Sequence, residues 1–168
     1  MRKCDFAKRG FALGLFLCAV TTAIAAAVYG AIGDKYNVLG RENGPLGPAL
    51  TDEASAPRGG RFNEFKNGFI YWRPDIGAFA VWGAIGAKWN QLGRVEYGYP
   101  ITDESKTPDQ RGRFNHFRAV HLPGTPESSI YWTPQTGAIA IYGAIREKWA
   151  AEGWERGRVI YWKYNISN

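Results

Sequence analysis

Cysteine is almost missing: the 168 residues hold two, Cys4 and Cys18, both inside the first 27. The remainder therefore cannot be a disulfide scaffold. It must be held by a packed core, which a segment of about 140 residues is large enough to bury. Histidine is scarce too. His116 and His121 lie in a loop with no third ligand in sight, a poor zinc pattern. No serine sits in a nucleophile-elbow context and no glycine run has the form of a phosphate loop. No metal, cofactor or catalytic residue is expected, and the chain reads as a non-enzyme.

Long hydrophobic runs are limited to one, Phe11 to Val28, uncharged and preceded by Arg2, Lys3, Lys8 and Arg9. It ends in the small residues Ala23, Ala25, Ala26 and Ala27, the pattern of a secretory signal peptide over residues 1–27. Cleavage after Ala25 and cleavage after Ala27 both fit. The competing reading is an uncleaved anchor at the short edge of spanning length, so a membrane is expected as a partner only if the segment stays uncleaved. Either way, most of the chain is expected outside the cytoplasm. Half of the formal charge of +6 belongs to that leader, and the basic residues beyond it are scattered. Nucleic acid is therefore not an expected partner.

What the chain has in quantity is aromatic residues, 15 % of the total, and they recur in register. Gly-Ala-Ile-x-x-Lys-(Tyr/Trp) begins at Gly30, Gly83 and Gly143, and Ile-Tyr-Trp appears at 70–72, 130–132 and 160–162. Ile85, Trp89 and Leu92 share one face at helical spacing, as do Ile32, Tyr36 and Leu39, and Gly40, Gly93 and Gly153 follow as helix terminators. Trp89 and Trp149 on that stripe are expected in the core. Arg61 to Phe65 and Arg113 to Phe117 read as strands, with Asn67-Gly68 predicting a type I′ hairpin turn into Phe69 to Trp72. A turn through Pro74 to Gly77 leads to a third strand, and the second copy does the same through Pro134 to Gly137.

The expected fold is α+β, a tandem repeat array. Each unit is a short antiparallel hairpin or three-strand element plus one short helix, and neighbouring units must stack to bury their aromatic faces. Residues 28–168 form one repeat domain with units of about 30–82, 83–142 and a partial 143–168. Val159 to Trp162 is expected to pair with the first unit and close the array.

These residues resemble the LGFP repeat family, whose units carry a Leu-Gly-Phe-Pro signature, an acidic pair, an aromatic strand and a Gly-Ala-Ile helix. Tyr97-Gly98-Tyr99-Pro100 stands at the signature position before Thr102-Asp103-Glu104, and Leu46-Gly47-Pro48-Ala49 before Thr51-Asp52-Glu53. The resemblance implies an extracytoplasmic protein of the cell envelope, non-catalytic, holding to wall polysaccharide. The implied location is secreted, extracellular or cell-wall associated.

A strand tryptophan can stack on the C–H face of a sugar, so Trp72 and Trp132 are candidates, against the plainer reading that they are core. Trp82 and Tyr142, at strand ends beside a glycine, are candidate exposed platforms. Asp52 and Asp103 are candidate acceptors for sugar hydroxyls, with Arg61, Arg113, Asn63 and Asn115 as donors, against the reading that the loops satisfy their own backbone. Equivalent carboxylates in equivalent places suit multivalent binding better than an acid and base pair, which needs unlike environments. Binding of cell-wall or envelope polysaccharide is thus expected. A structural or protein-interaction module of the envelope is the alternative, and a glycan hydrolase is a lesser one.

Overall fold

A computed structural model describes residues 26–154. Three nine-residue helices form where the Gly-Ala-Ile pattern predicts them: α1 (Gly30–Val38), α2 (Gly83–Gln91) and α3 (Gly143–Ala151). All three terminate at the expected glycines, with Gly40, Gly93 and Gly153 in the left-handed region at φ of 86°, 87° and 88°.

Between α1 and α2 lies an antiparallel sheet in the order β1 (Ala54–Ala56), β2 (Gly60–Phe65), β3 (Gly68–Arg73), β4 (Gly77–Trp82). Between α2 and α3 lies a second, with β7 (Arg113–Arg118), β8 (Glu127–Thr133) and β9 (Gly137–Tyr142) in sequence. The short β5 (Tyr99–Pro100) and β6 (Ser105–Lys106) both pair with β7. The three long strands of each sheet match the expectation. The short outer ones arise where the acidic loop doubles back along the first long strand.

The register explains the stacking. Ile70 and Trp72 point to one face of the first sheet and pack with Ile32 and Tyr36 of α1. Phe69 and Tyr71 point to the other and pack with Ile85 and Trp89 of α2. Ile130 and Trp132 then meet α2 from the second sheet, while Tyr131 packs on Trp149 of α3 at 4.5 Å between ring centroids. The described residues therefore alternate helix, sheet, helix, sheet, helix, with α2 against both sheets. Trp89 is fully buried there. Among the described residues α3 has a sheet on one side only, and Trp149, expected in the core, is half-buried there.

One local expectation is corrected. The turn between β2 and β3 is Lys66-Asn67, closed by the Phe65–Gly68 pair, and neither Asn67 nor Gly68 has positive φ. Asn67 is held by other bonds: its N–H donates to the Leu46 carbonyl at 3.0 Å and its Nδ2 to the Pro45 carbonyl at 3.1 Å. Gly68 is required for space instead, since a Cβ there would lie 2.3 Å from the Val81 carbonyl oxygen. The expected closing strand, Val159 to Trp162, lies outside the described residues, as does most of the expected leader.

Candidate functional site

The three residues of each Thr-Asp-Glu loop do three different things. Thr51 Oγ1 accepts from the Glu64 N–H at 3.0 Å, and Thr102 Oγ1 from the His116 N–H at 2.9 Å, which pins the loop to its own sheet. The aspartate reaches back to the preceding unit. Asp103 Oδ1 accepts from the backbone N–H of Ala80 on β4 at 2.9 Å, and Oδ2 from Lys35 Nζ at 2.6 Å. Asp52 Oδ1 accepts from the N–H of Ala27, the residue that corresponds to Ala80, at 2.7 Å.

The asparagines complete this clasp. Asn115 Nδ2 donates to the Ala80 carbonyl at 3.1 Å and to the Thr102 carbonyl at 2.9 Å. Asn63 Nδ2 does the same to Ala27 and Thr51, at 3.0 and 2.9 Å. Both asparagines have no exposed surface. They are not available as sugar donors, and the two aspartates are already engaged with backbone. The reason is that β4 is an edge strand whose outward peptide groups need partners.

The glutamate is the residue that faces a cleft. Glu104 pairs with Arg113 at 3.1 Å, and the register sets Arg113 directly across from Trp132. Together with Gly83, Ala84 and Ile85 at the start of α2 they line an open cleft of about 140 Å³. That is well below the size of an enclosing ligand pocket and suits one face of a single ring. Glu104 keeps 5 % of its side-chain surface, and burial pushes its carboxyl pKa upward against the pull of Arg113, which stays 43 % exposed.

The first unit repeats the trio. Glu53 pairs with Arg61, Arg61 stands across from Trp72, and Trp72 packs against the cluster that holds Ile32 of α1. Each helix begins at a glycine of positive φ, 54° at Gly30 and 57° at Gly83, with no side-chain cap. Its first N–H groups therefore have no side-chain acceptor, and in α2 the Gly83 N–H donates to the Asn67 carbonyl at 3.1 Å.

Of the residues expected to form sites, the structure brings Trp132 together with Arg113, and Trp72 with Arg61. Trp82 is half-buried against the α1 core, as Trp72 is, and lies outside the trio; Tyr142 is exposed but stands at the far end of β9. Glu53 and Glu104, passed over in favour of their aspartate neighbours, pair with the arginines, and Glu104 lines the cleft. A signal existed: each glutamate recurs with an arginine eight or nine residues on. The capless helix starts were a second one. Among the described residues there is no group of three or more metal-ligating side chains, and no helix long and apolar enough to cross a membrane.

Compared with known proteins, the family model described as LGFP repeat matches residues 46–96 and 98–157, two tandem copies covering more than half of the chain. Each match begins ahead of a sheet and runs through the helix that follows. A search of curated proteins found no match.

Proposed function

The chain belongs to the LGFP repeat family, and from that premise we propose that it is a secreted, non-catalytic protein of the cell envelope. It binds wall polysaccharide through two equivalent shallow clefts, Trp72 with Arg61 and Glu53, and Trp132 with Arg113 and Glu104. The observation that carries this reading is the recurrence of the same trio beside an uncapped helix start in both units. An indole offers the C–H face of a pyranose a flat apolar surface. The half-exposed guanidinium donates to ring hydroxyls in the plane alongside, and the buried carboxylate holds it in that orientation.

A non-catalytic role is supported by the carboxylates. Glycoside hydrolysis needs two, flanking the scissile bond, and Glu104 alone lines the described cleft. Two weak sites on one rigid frame hold a polymer through effective concentration, without either being tight.

Cosedimentation of the purified chain with insoluble wall polysaccharide tests the proposal. Retention is expected, with competition by soluble oligosaccharide and loss in the double variant Trp72→Ala, Trp132→Ala. The pair Arg61→Lys, Arg113→Lys keeps charge and fold while removing the planar fork, and is expected to weaken retention as well. Wild-type retention by both double variants would overturn the reading, and release of reducing sugar would replace it with a hydrolase.

A further inference from the structure

Gly83 stands between two hollows. On the side of the second sheet it borders the cleft of Trp132, Arg113 and Glu104, and on the side of the first sheet an open groove of about 220 Å³ between α2 and the β2–β3 hairpin. Glu64 and Asn67 of the hairpin and Gly86 and Asn90 of α2 wall that groove. Gly83 itself is exposed, and a Cβ there would meet nothing within 4 Å, so the ground between the two hollows is bare backbone at this point.

The polar atoms of the groove are left over by the fold. Asn67 Nδ2 donates to the Pro45 carbonyl at 3.1 Å, and Asn90 Oδ1 accepts from Arg94 Nε at 2.6 Å. Asn67 Oδ1 and Asn90 Nδ2 remain without a protein partner among the described residues. The Glu64 carboxylate has Arg94 at 3.9 Å, beyond hydrogen-bond reach, and keeps 38 % of its side-chain surface.

The second unit shows what closes such a groove. Arg146 takes the place of Gly86 there and lies across the corresponding space: Nε donates to Ser129 Oγ and Nη2 to Glu127, both at 2.8 Å, and the residue is 9 % exposed. By register, Ser129 and Glu127 are the counterparts of Phe69 and Asn67. Ahead of α1 the described residues hold no hairpin. Among them, α2 alone thus has a tryptophan cleft on one flank and an unfilled groove on the other.

Resting on the polysaccharide reading of the Trp132 cleft, we propose that this groove is a second subsite, so that cleft and groove hold neighbouring sugar rings of one strand passing over Gly83. The ring in the groove is an uncharged one. Its hydroxyls donate to Glu64 and to Asn67 Oδ1 and accept from Asn90 Nδ2, whereas an acidic sugar would set its charge against Glu64. Together the two hollows exceed the roughly 300 Å³ at which ligand pockets begin. The two tryptophan clefts, alike in their trio, then differ in the length of glycan they read.

The test uses the full chain carrying Trp72→Ala, which leaves the Trp132 cleft to bind, and oligosaccharides of one, two and three rings from partial acid hydrolysis of the wall polysaccharide used for cosedimentation. Isothermal titration is expected to show affinity about 10-fold higher for two or three rings than for one, the gain of one or two added hydrogen bonds. Gly86→Arg copies the second unit and is expected to abolish that gain with single-ring affinity unchanged; a Cβ at this position has ordinary clearance, 3.4 Å from the Val81 carbonyl oxygen. Asn90→Ala, on the exposed side of α2, is expected to reduce the gain with native circular dichroism, and serves if Gly86→Arg does not fold. Affinity independent of length, or a length gain that a folded variant leaves untouched, would overturn the second subsite while the Trp132 cleft stands. Absence of binding at every length, with no retention of the wild-type chain on the polysaccharide, would overturn both.

Discussion

At the scale of single residues, Asp103 joins three elements: its own loop, the edge of β4 through Ala80 and the end of α1 through Lys35. Ala80 has no exposed surface, so removing the carboxylate leaves its N–H buried without an acceptor. Asp103→Ala is expected to cost about 1–3 kcal/mol in urea denaturation, with sugar retention unchanged for the folded fraction. His116 gives a second expectation. Burial, with the Arg146 charge adding to it and Glu127 opposing, holds its pKa down at about 4 from the usual 6.5. The folded state then binds fewer protons than the unfolded one between those values. The stability linked to this ring is complete above about pH 6.5 and is lost as the pH falls through about 4, by at most roughly 3 kcal/mol because the ring is part-exposed. A urea series from pH 7 to pH 4 is expected to show that slope, and His116→Gln to flatten it.

At the scale of elements, α2 carries the joint. Trp89 touches Phe69 and Tyr71 of the first sheet and Phe117 of the second, and its Nε1 donates to the Gly98 carbonyl at 3.0 Å. In α1 the Tyr36 hydroxyl donates to the Gly47 carbonyl in the same way, also at 3.0 Å. The glycine of the signature loop is thus a fixed acceptor for the helix aromatic. Trp89→Ala is expected to cost about 3–5 kcal/mol, from the cavity and the orphaned carbonyl together. Because α2 is shared, tryptophan fluorescence and far-ultraviolet circular dichroism should still report one transition, shifted to lower urea.

At the scale of the molecule, function rests on the clefts being two and rigidly related. Trp132→Ala alone is expected to lower retention on polymer by about 100-fold, the order of magnitude that linkage contributes. Binding of a short oligosaccharide to the remaining cleft should keep its affinity. Isothermal titration with short and long oligosaccharides separates the two: an equal loss for both lengths would mean that the clefts do not share a polymer.

Read from sequence alone, the repeat, the three helices with their terminators, the hairpin strands and the split of Ile and Trp from Tyr across each sheet were all legible. Those features depend on local periodicity, which residue spacing carries. The pairing of Trp72 with Arg61 was not legible, because an Asn67-Gly68 turn sets Trp72 across from Asn63, and only the Lys66-Asn67 turn brings Arg61 opposite. Which carboxylate lined the cleft was not legible, because adjacent Asp and Glu differ only in what lies beside them after stacking. The edge of β4 engages Asp103 and Asn115, and Glu104 is held against Arg113 at the cleft. Those are long-range contacts between units, and only the assembled stack of helices and sheets decides them.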